Sequence, residues 1–323
     1  MNRRTSIFVI SLVLILIVGG TTLGIYRSQP TVESSVPVRV GYFQSHTGSS
    51  PILLGESQGF FAENDVTVEK MVLASSNQAM DALIRGDVDV SLLSLIQVLN
   101  ADAVDSGNVQ IFAVSALTNE EPFDSVVVKN ESGIASIQDL AGKKISVFPG
   151  TTATAFLKQY LMDNGVDISQ TEFIQMPPAD HLVALESGAV QASYVYEPML
   201  SIALVSGGVH AITQSVYATM SDRSPIGVYV VSTKFLTEHP ELAERAVSAL
   251  EEAMAYSNEH ATEAAAALAA ESKLSADVAS RVSLIEFVPV SEVAESSLTS
   301  FLDLLISFGE IKGQPDLDAL LYR

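Results

Sequence analysis

DALIRGDVDVSLL, residues 81–93, decides how the rest of the chain is read. Met80, just before it, shares a helical face with Leu83 and Ile84, and Gly86 stands where a helix ends in left-handed backbone. Asp89–Leu95 then reads as a buried strand, a short apolar run directly after a turn. Helix, glycine stop and buried strand in immediate succession form the return half of a parallel βαβ unit. Upstream lie a strand Val38–Phe43, the polar loop QSHTGSS, a helix ending near Gly59 and an alternating strand Val66–Leu73. Downstream, VQIFAVSAL is one more strand. The fold class is therefore α/β.

The pattern returns in VALESGAVQASYV, residues 183–195. Ala82, Leu83, Gly86, Val88 and Ser91 align with Ala184, Leu185, Gly188, Val190 and Ser193 at a constant offset of 102 positions. Two lobes of like architecture follow from this. FDSVVVKN (123–130) and IGVYVVSTKF (226–235) are both extended, and sit at or beside two crossings if the chain leaves the first lobe near Thr118 and returns near Ser224. From Thr237 onward the pattern is almost wholly helical, including HATEAAAALAAESK and the amphipathic SEVAESSLTSFLDLLISFGEI. This tail most simply packs on the first lobe.

SVFPGTTATAFLKQYL, residues 146–161, reads as strand, Pro-Gly turn and helix, with Ala153, Phe156, Leu157, Tyr160 and Leu161 on one face. The first turn of a helix leaves backbone N–H groups unpaired at the positive end of the dipole. Thr151 or Thr152 can cap it, and the remaining N–H groups suit an anion or a carbonyl-like acceptor. A capped helix with no ligand has the same sequence.

Composition narrows the function classes. The 323 residues are 48% apolar and 17% charged, enough for one large core or two lobes. Acidic residues outnumber basic ones 38 to 17, a net charge of −21, and no basic stripe is present, so nucleic acid is not an expected partner. The absence of cysteine excludes disulfides, thiolate metal sites, cysteine nucleophiles and a lipid-bearing cysteine. The paired-His metalloprotease spacing, a glycine-rich dinucleotide loop and a serine nucleophile elbow are absent as complete motifs. With five histidines scattered singly, no metal and no cofactor are expected.

The N-terminus is different. Arg3 and Arg4 precede an apolar or small run from Ser6 to Gly20, the pattern of an export signal. Counted on through Ile25, the run nears the ~17–25 residues that span a bilayer, so an uncleaved anchor is the alternative. Both place the bulk of the chain outside the cytoplasm. Gln29–Val36 then serves as a tether.

Four stretches resemble the solute-binding proteins of ABC importers, in the group that takes aliphatic sulfonates, nitrate and thiamine-precursor pyrimidines. They are VRVGYF with SPILLGESQGFFAENDVTVE; ALIRGDVDVSLLS; DSVVVKNESGIASIQDLAGKKISVFPGTTATAFLKQYL; and ALESGAVQASYVYEP. The resemblance covers about Val38–His260 and implies a two-lobe type II periplasmic-binding fold, the helical C-terminal region packed on lobe one and the ligand clamped between lobes. The implied division is 1–36 export signal or anchor plus tether, 37–120 first part of lobe one, 121–223 lobe two, and 224–323 the return strand and helices of lobe one.

Carried over by position, the turn Gly150, Thr151, Thr152 and Ala153 falls where the family holds its ligand's polar head. Gln44, Ser45 and His46 after the first strand, and Ser91 to Ser94 at the end of the third, fall on the facing rim; Tyr194, Tyr196 and Glu197 fall at the cleft end of ASYVYEP. Open α/β sheets bind ligands beyond their strand C-termini, where all of these lie. The chain departs from the family in having no tryptophan, which leaves Tyr42, Phe43, Phe148, Tyr194 and Tyr196 to stack on a flat ligand. Each has a plainer reading as well. His46 can be merely solvated, Glu197 a structural carboxylate before Pro198, the two tyrosines a core face, and Arg223 a partner of nearby aspartates.

Two functional classes remain. One is a monomeric solute-binding component that closes on a small polar or anionic organic molecule, sulfonate-like or pyrimidine-like, and delivers it to a membrane permease. The other is an enzyme on the same fold acting on a small heterocycle or organic acid. Its known chemistries, desulfination and pyrimidine synthesis, require cysteine that is absent here.

Overall fold

A computed structural model describes residues 36–117, 123–149, 152–219, 224–293, 295–311 and 313–323. Residues 81–85 are the second half of a helix, Ser76–Arg85, capped at its start by Ser75, whose hydroxyl accepts the Gln78 N–H. It ends on Gly86 with φ of 75°. Ala79, Met80, Ala82 and Leu83 are buried. Ile84, expected on the same face, is exposed, because at 100° per residue it falls past the rim of the arc those four define.

The preceding strands are β1 (Val38–Tyr42) and β2 (Val68–Val72), and the strands after the helix are β3 (Val90–Ser94) and β4 (Val109–Leu117). Helix Leu95–Asp102, not read from the sequence, links β3 to β4. The second set is β5 (Asp124–Lys129), β6 (Lys144–Val147), β7 (Glu172–Gln175), β8 (Ala192–Tyr196) and β9 (Val209–Ala211). Helix Thr152–Asp163 follows β6, as expected, and helix His181–Ser187 runs through Gly188, φ 80°, to β8. β10 (Ser224–Ser232) and β11 (Glu286–Pro289) come last.

These strands form two sheets, ordered β11-β4-β10-β3-β1-β2 and β7-β6-β8-β5-β9. In the first, β1 is parallel to β2 and β3, while β10 lies antiparallel between β3 and β4. In the second, β6 is parallel to β7 and β8, while β5 lies antiparallel between β8 and β9. Residues 37–323 cluster as one unit, and a continuous core runs through both sheets, including Val40 and Leu92 of the first and Val126 and Ile145 of the second. The expected crossings at 118–122 and 220–223, with Arg223, lie outside the described residues, as do 1–35.

The tail is helical apart from β11, which pairs with β4 at the sheet edge and ends on Pro289, where a missing N–H costs no ladder bond. Helix Pro240–Glu259 packs on helix Ser50–Ser57, with the Ser257 and Ser50 hydroxyls 3.1 Å apart. The tail also reaches the second sheet's helix: Phe301 meets Phe156 edge-on at 5.4 Å, and Glu310 lies 3.8 Å from Lys158. Among the described residues no helix is long and apolar enough to cross a membrane.

Candidate functional site

Beyond the end of β1 the chain turns through Phe43–His46 into a 3-10 turn, Thr47–Ser49. Ser49 closes this loop: its hydroxyl donates to the Phe43 carbonyl at 2.8 Å and accepts the Phe43 N–H at 3.2 Å. His46 caps the turn, Nδ1 accepting the Gly48 N–H at 2.9 Å. Burial holds its pKa down, to about 4, so at neutral pH the ring is uncharged and carries its proton on Nε2. Gln44 and Ser45 are exposed, and the loop is tied to helix Ala261–Ser272 by Ser272 Oγ donating to the Gln44 carbonyl at 2.6 Å. The neighbouring Tyr42 hydroxyl donates to Glu271 at 2.6 Å; burial first, then this bond, push the phenol up to about 12.

On the other side, β6 delivers Phe148 and β8 delivers Tyr196. The rings form a row: Phe43 to His46 at 5.9 Å, His46 to Tyr196 at 5.8 Å, Tyr196 to Phe148 at 4.1 Å, and Phe148 to His181 at 4.3 Å. Phe123 stacks on Tyr196 at 5.9 Å. Edge-on and offset pairs at these separations are favourable beyond area burial alone. Tyr196 and His46 are only partly buried, so the row is open where the two sheets' elements meet.

The other expected residues are placed differently. Tyr194 is fully buried and donates to Asp124 at 2.6 Å, in a network where Asp124 also accepts from Ser215 Oγ and from the Val216 N–H at 2.8 Å. Burial raises the Asp124 pKa, against these bonds. Glu197, before the cis bond to Pro198, is 3% exposed, and its carboxylate accepts from Ser201 Oγ at 2.8 Å and Ser201 N–H at 3.2 Å. Burial raises it to about 7 despite those donors. Ser94 leads β3 into helix Leu95–Asp102, its N–H donating to Ser76 Oγ at 3.0 Å. Gly150 and Thr151, and the side chains of Thr152 and Ala153, lie outside the described residues; helix Thr152–Asp163 begins at the third of these four.

Sequence reasoning missed His181, Ser146 and Ser193, which lie behind Phe148. The signal was present in the offset of 102, which sets His181 against Ala79. Thr47, inside the β1 loop, is fully buried with no hydrogen-bond partner for its hydroxyl. A separate groove of about 310 Å³, lined by Leu83, Ile84, Asn108, Thr233 and Lys234 among others, opens at the opposite end of the first sheet and shares no residue with the row. Among the described residues no cluster of His, Asp or Glu could hold a metal.

An α/β protein with two sheets in the order 2-1-3-n-4, where n is the antiparallel strand, and a row of rings at the strand C-termini of both, has the periplasmic-binding-protein fold. The alkanesulfonate-binding protein SsuA from Xanthomonas axonopodis pv. citri, solved bound to MOPS, superposes with a TM-score of 0.74 at 17% identity, over 89% of this chain and 98% of that one. Residues 46–264 match the NMT1/THI5-like family, and the chain belongs to it. The taurine-binding periplasmic protein of Escherichia coli (strain K12) is 28% identical over 211 residues, 64% of this chain and 62% of that one. A 4-amino-5-hydroxymethyl-2-methylpyrimidine phosphate synthase from Legionella pneumophila is 26% identical over 36% of the chain.

Proposed function

We propose that the protein is the extracytoplasmic solute-binding component of an ABC importer, without catalytic activity, which holds a small polar or anionic organic molecule between two lobes and passes it to a membrane permease. The observation that carries this is the row Phe43, His46, Tyr196, Phe148, built from the ends of β1, β6 and β8 so that both sheets contribute to one surface. In this reading residues 37–120 and 224–323 form one lobe and 121–223 the other, and residues 1–36 are an export signal or anchor with its tether. Gln44, Ser45, His46 and Ser94 face the ligand from one side and Gly150, Thr151, Thr152, Ala153 and Tyr196 from the other, while Tyr194 and Glu197, buried against Asp124 and Ser201, support that side from behind. His46, neutral with a proton on Nε2, can donate to a sulfonate or a ring nitrogen without the cost of burying a charge. The net charge of −21 does not bar an anion, since helix N–H groups act inside the ~8–10 Å screening distance.

Mass spectrometry of small molecules released from the purified, denatured protein identifies the cargo. Calorimetric titration of that molecule into Thr152→Val should then lose on the order of 1–3 kcal/mol of binding, for a donor removed from a buried acceptor. A melting point lowered by Thr151→Ala and Thr152→Val with unchanged affinity would reduce the turn to a helix cap. Absence of any released molecule, together with no binding of taurine, MOPS or an aminopyrimidine, would reject the transport reading.

A further inference from the structure

Behind the ring row lies a buried polar relay. His181 is fully buried, with Nε2 3.1 Å from the Met176 carbonyl and Nδ1 3.0 Å from Ser146 Oγ. A carbonyl only accepts, so Nε2 carries the ring proton and Nδ1 accepts the Ser146 hydroxyl. Ser146 Oγ is also in hydrogen-bond contact with Ser193 Oγ, which completes a chain of three side chains, all buried. The His181 ring is thereby fixed in tautomer and orientation, and Phe148 stacks on it at 4.3 Å and 22°. Phe148 in turn backs Tyr196 at 4.1 Å, and Tyr196 is the partly exposed ring that meets His46.

The first sheet reaches the same strand pairing without such a relay. Gly41 pairs with Ser91 there as Ser146 pairs with Ser193, and Ser91 Oγ donates to the Gly41 carbonyl at 3.0 Å. Ala79 stands at the position of His181, and it too is fully buried. A glycine and an alanine therefore suffice for the fold at these two places. What the second half has in addition is a ring platform beneath Phe148.

We propose that Ser146, His181 and Ser193 are positioning residues for ligand binding: the relay fixes the His181 ring, which sets Phe148 and through it the pose of Tyr196 against the cargo. The proposal rests on the transport reading for its ligand, and its test has one arm that needs no ligand. In ligand-free protein carrying 13C in its aromatic rings, with Phe148 and Tyr196 assigned through Phe148→Leu and Tyr196→Phe, both Ser146→Ala and His181→Phe should shift or broaden the two rings' resonances. Ser125→Ala, which removes another buried hydroxyl of the second sheet, bonded to Thr213, should leave them in place. In calorimetry with taurine and MOPS as probes, whichever the wild type binds should bind at least tenfold more weakly to Ser146→Ala, while that variant melts no lower than Ser125→Ala. Unmoved Phe148 and Tyr196 resonances in both relay variants would overturn the proposal, and so would shifted rings with wild-type affinity. If the wild type binds neither probe, the choice of cargo has failed, and the ring resonances alone decide the relay.

Discussion

The two halves of the molecule use one strand plan and fill it differently. At the strand starts the correspondence is close: the Arg39 N–H donates to Asp89 Oδ2 at 2.8 Å and the Lys144 N–H to Gln191 Oε1 at 3.1 Å, 102 positions separating the two acceptors. Toward the strand ends the halves part. The first has Gly41, Ala79 and Gly227 where the second has Ser146, His181 and Asp124; Gly227 pairs with Ser94 as Asp124 pairs with Tyr196. A Cβ on Gly41 would lie 2.6 Å from Leu73 Cδ1, and one on Gly227 2.8 Å from Ser115 Oγ. The first half is thus closed by side chains packed directly onto glycine and the second by hydrogen-bonded side chains. Close packing is intolerant of added atoms, and a polar network is intolerant of lost ones.

Exchanging residues between the halves tests that contrast. Asp124→Ala should be the most damaging change, on the order of 2–6 kcal/mol by urea unfolding, because it removes the acceptor of the buried Tyr194 hydroxyl and of the Val216 N–H, at ~1–3 kcal/mol each. A loss under about 1 kcal/mol would mean that these donors find other partners, and the network would not be what closes this half. Gly41→Ser, which imports the second half's residue, should cost about 1–3 kcal/mol through overpacking. The reciprocal Ser146→Gly should cost a comparable ~1–3 kcal/mol, because it leaves the buried His181 Nδ1 without its donor, and a loss well below that of Gly41→Ser would erase the contrast.

Titration gives a finer comparison. Glu197, near 7 in the fold against 4.5 free, contributes stability that is complete below pH 4.5 and lost as pH rises through 7. His46 and His181, near 4 against 6.5, contribute stability that is complete above pH 6.5 and lost as pH falls through 4. Urea midpoints between pH 4 and 8 should therefore show Glu197→Gln moving the optimum upward and His181→Phe flattening the acid side. A Glu197→Gln profile that overlays the wild type would show that this carboxyl is not the one opposing the histidines. The smallest effect is expected at Gln191→Ala, about 0.5–1.5 kcal/mol for exposed bonds to the Lys144 N–H and the Gly188 carbonyl, against a larger loss at Asp89→Ala, which also removes the ion pair to Arg39.

The helix, glycine and strand units were legible because each signal is local: an apolar period, a residue tolerant of left-handed backbone, a short buried run. β11 was not legible, because SLIEFVP sits in helical surroundings and becomes a strand only by pairing with β4, some 170 positions earlier. In the candidate site, the family resemblance placed His46 and Tyr196 at strand ends, and the lack of tryptophan put Phe43 and Phe148 among the rings left to stack on a ligand, without regard to distance in sequence. The relay escaped because Ser146 and His181, 35 positions apart, have no period in common and meet only when β6 and β8 lie side by side. Tyr194 and Tyr196 share a strand face in the sequence, yet one is sealed against Asp124 and the other reaches His46. Burial of that kind depends on what packs from outside the strand.

Strand order also dictates an order in time. β5 to β9 are contiguous in the chain, so the five-stranded sheet has all its strands once residue 211 has been made. In the six-stranded sheet β10 lies between β3 and β4, and β11 and the Leu321 bridge to Ile111 follow later still. A chain emerging N-terminus first must therefore hold β1 to β4, with apolar residues such as Phe112 and Leu92, without their central partner while the whole second sheet is synthesised. Loop closure over that distance is slow, and unpaired apolar strands are prone to aggregate. The half that emerges first is the half that closes last, and it is there that a chaperone would have most to protect.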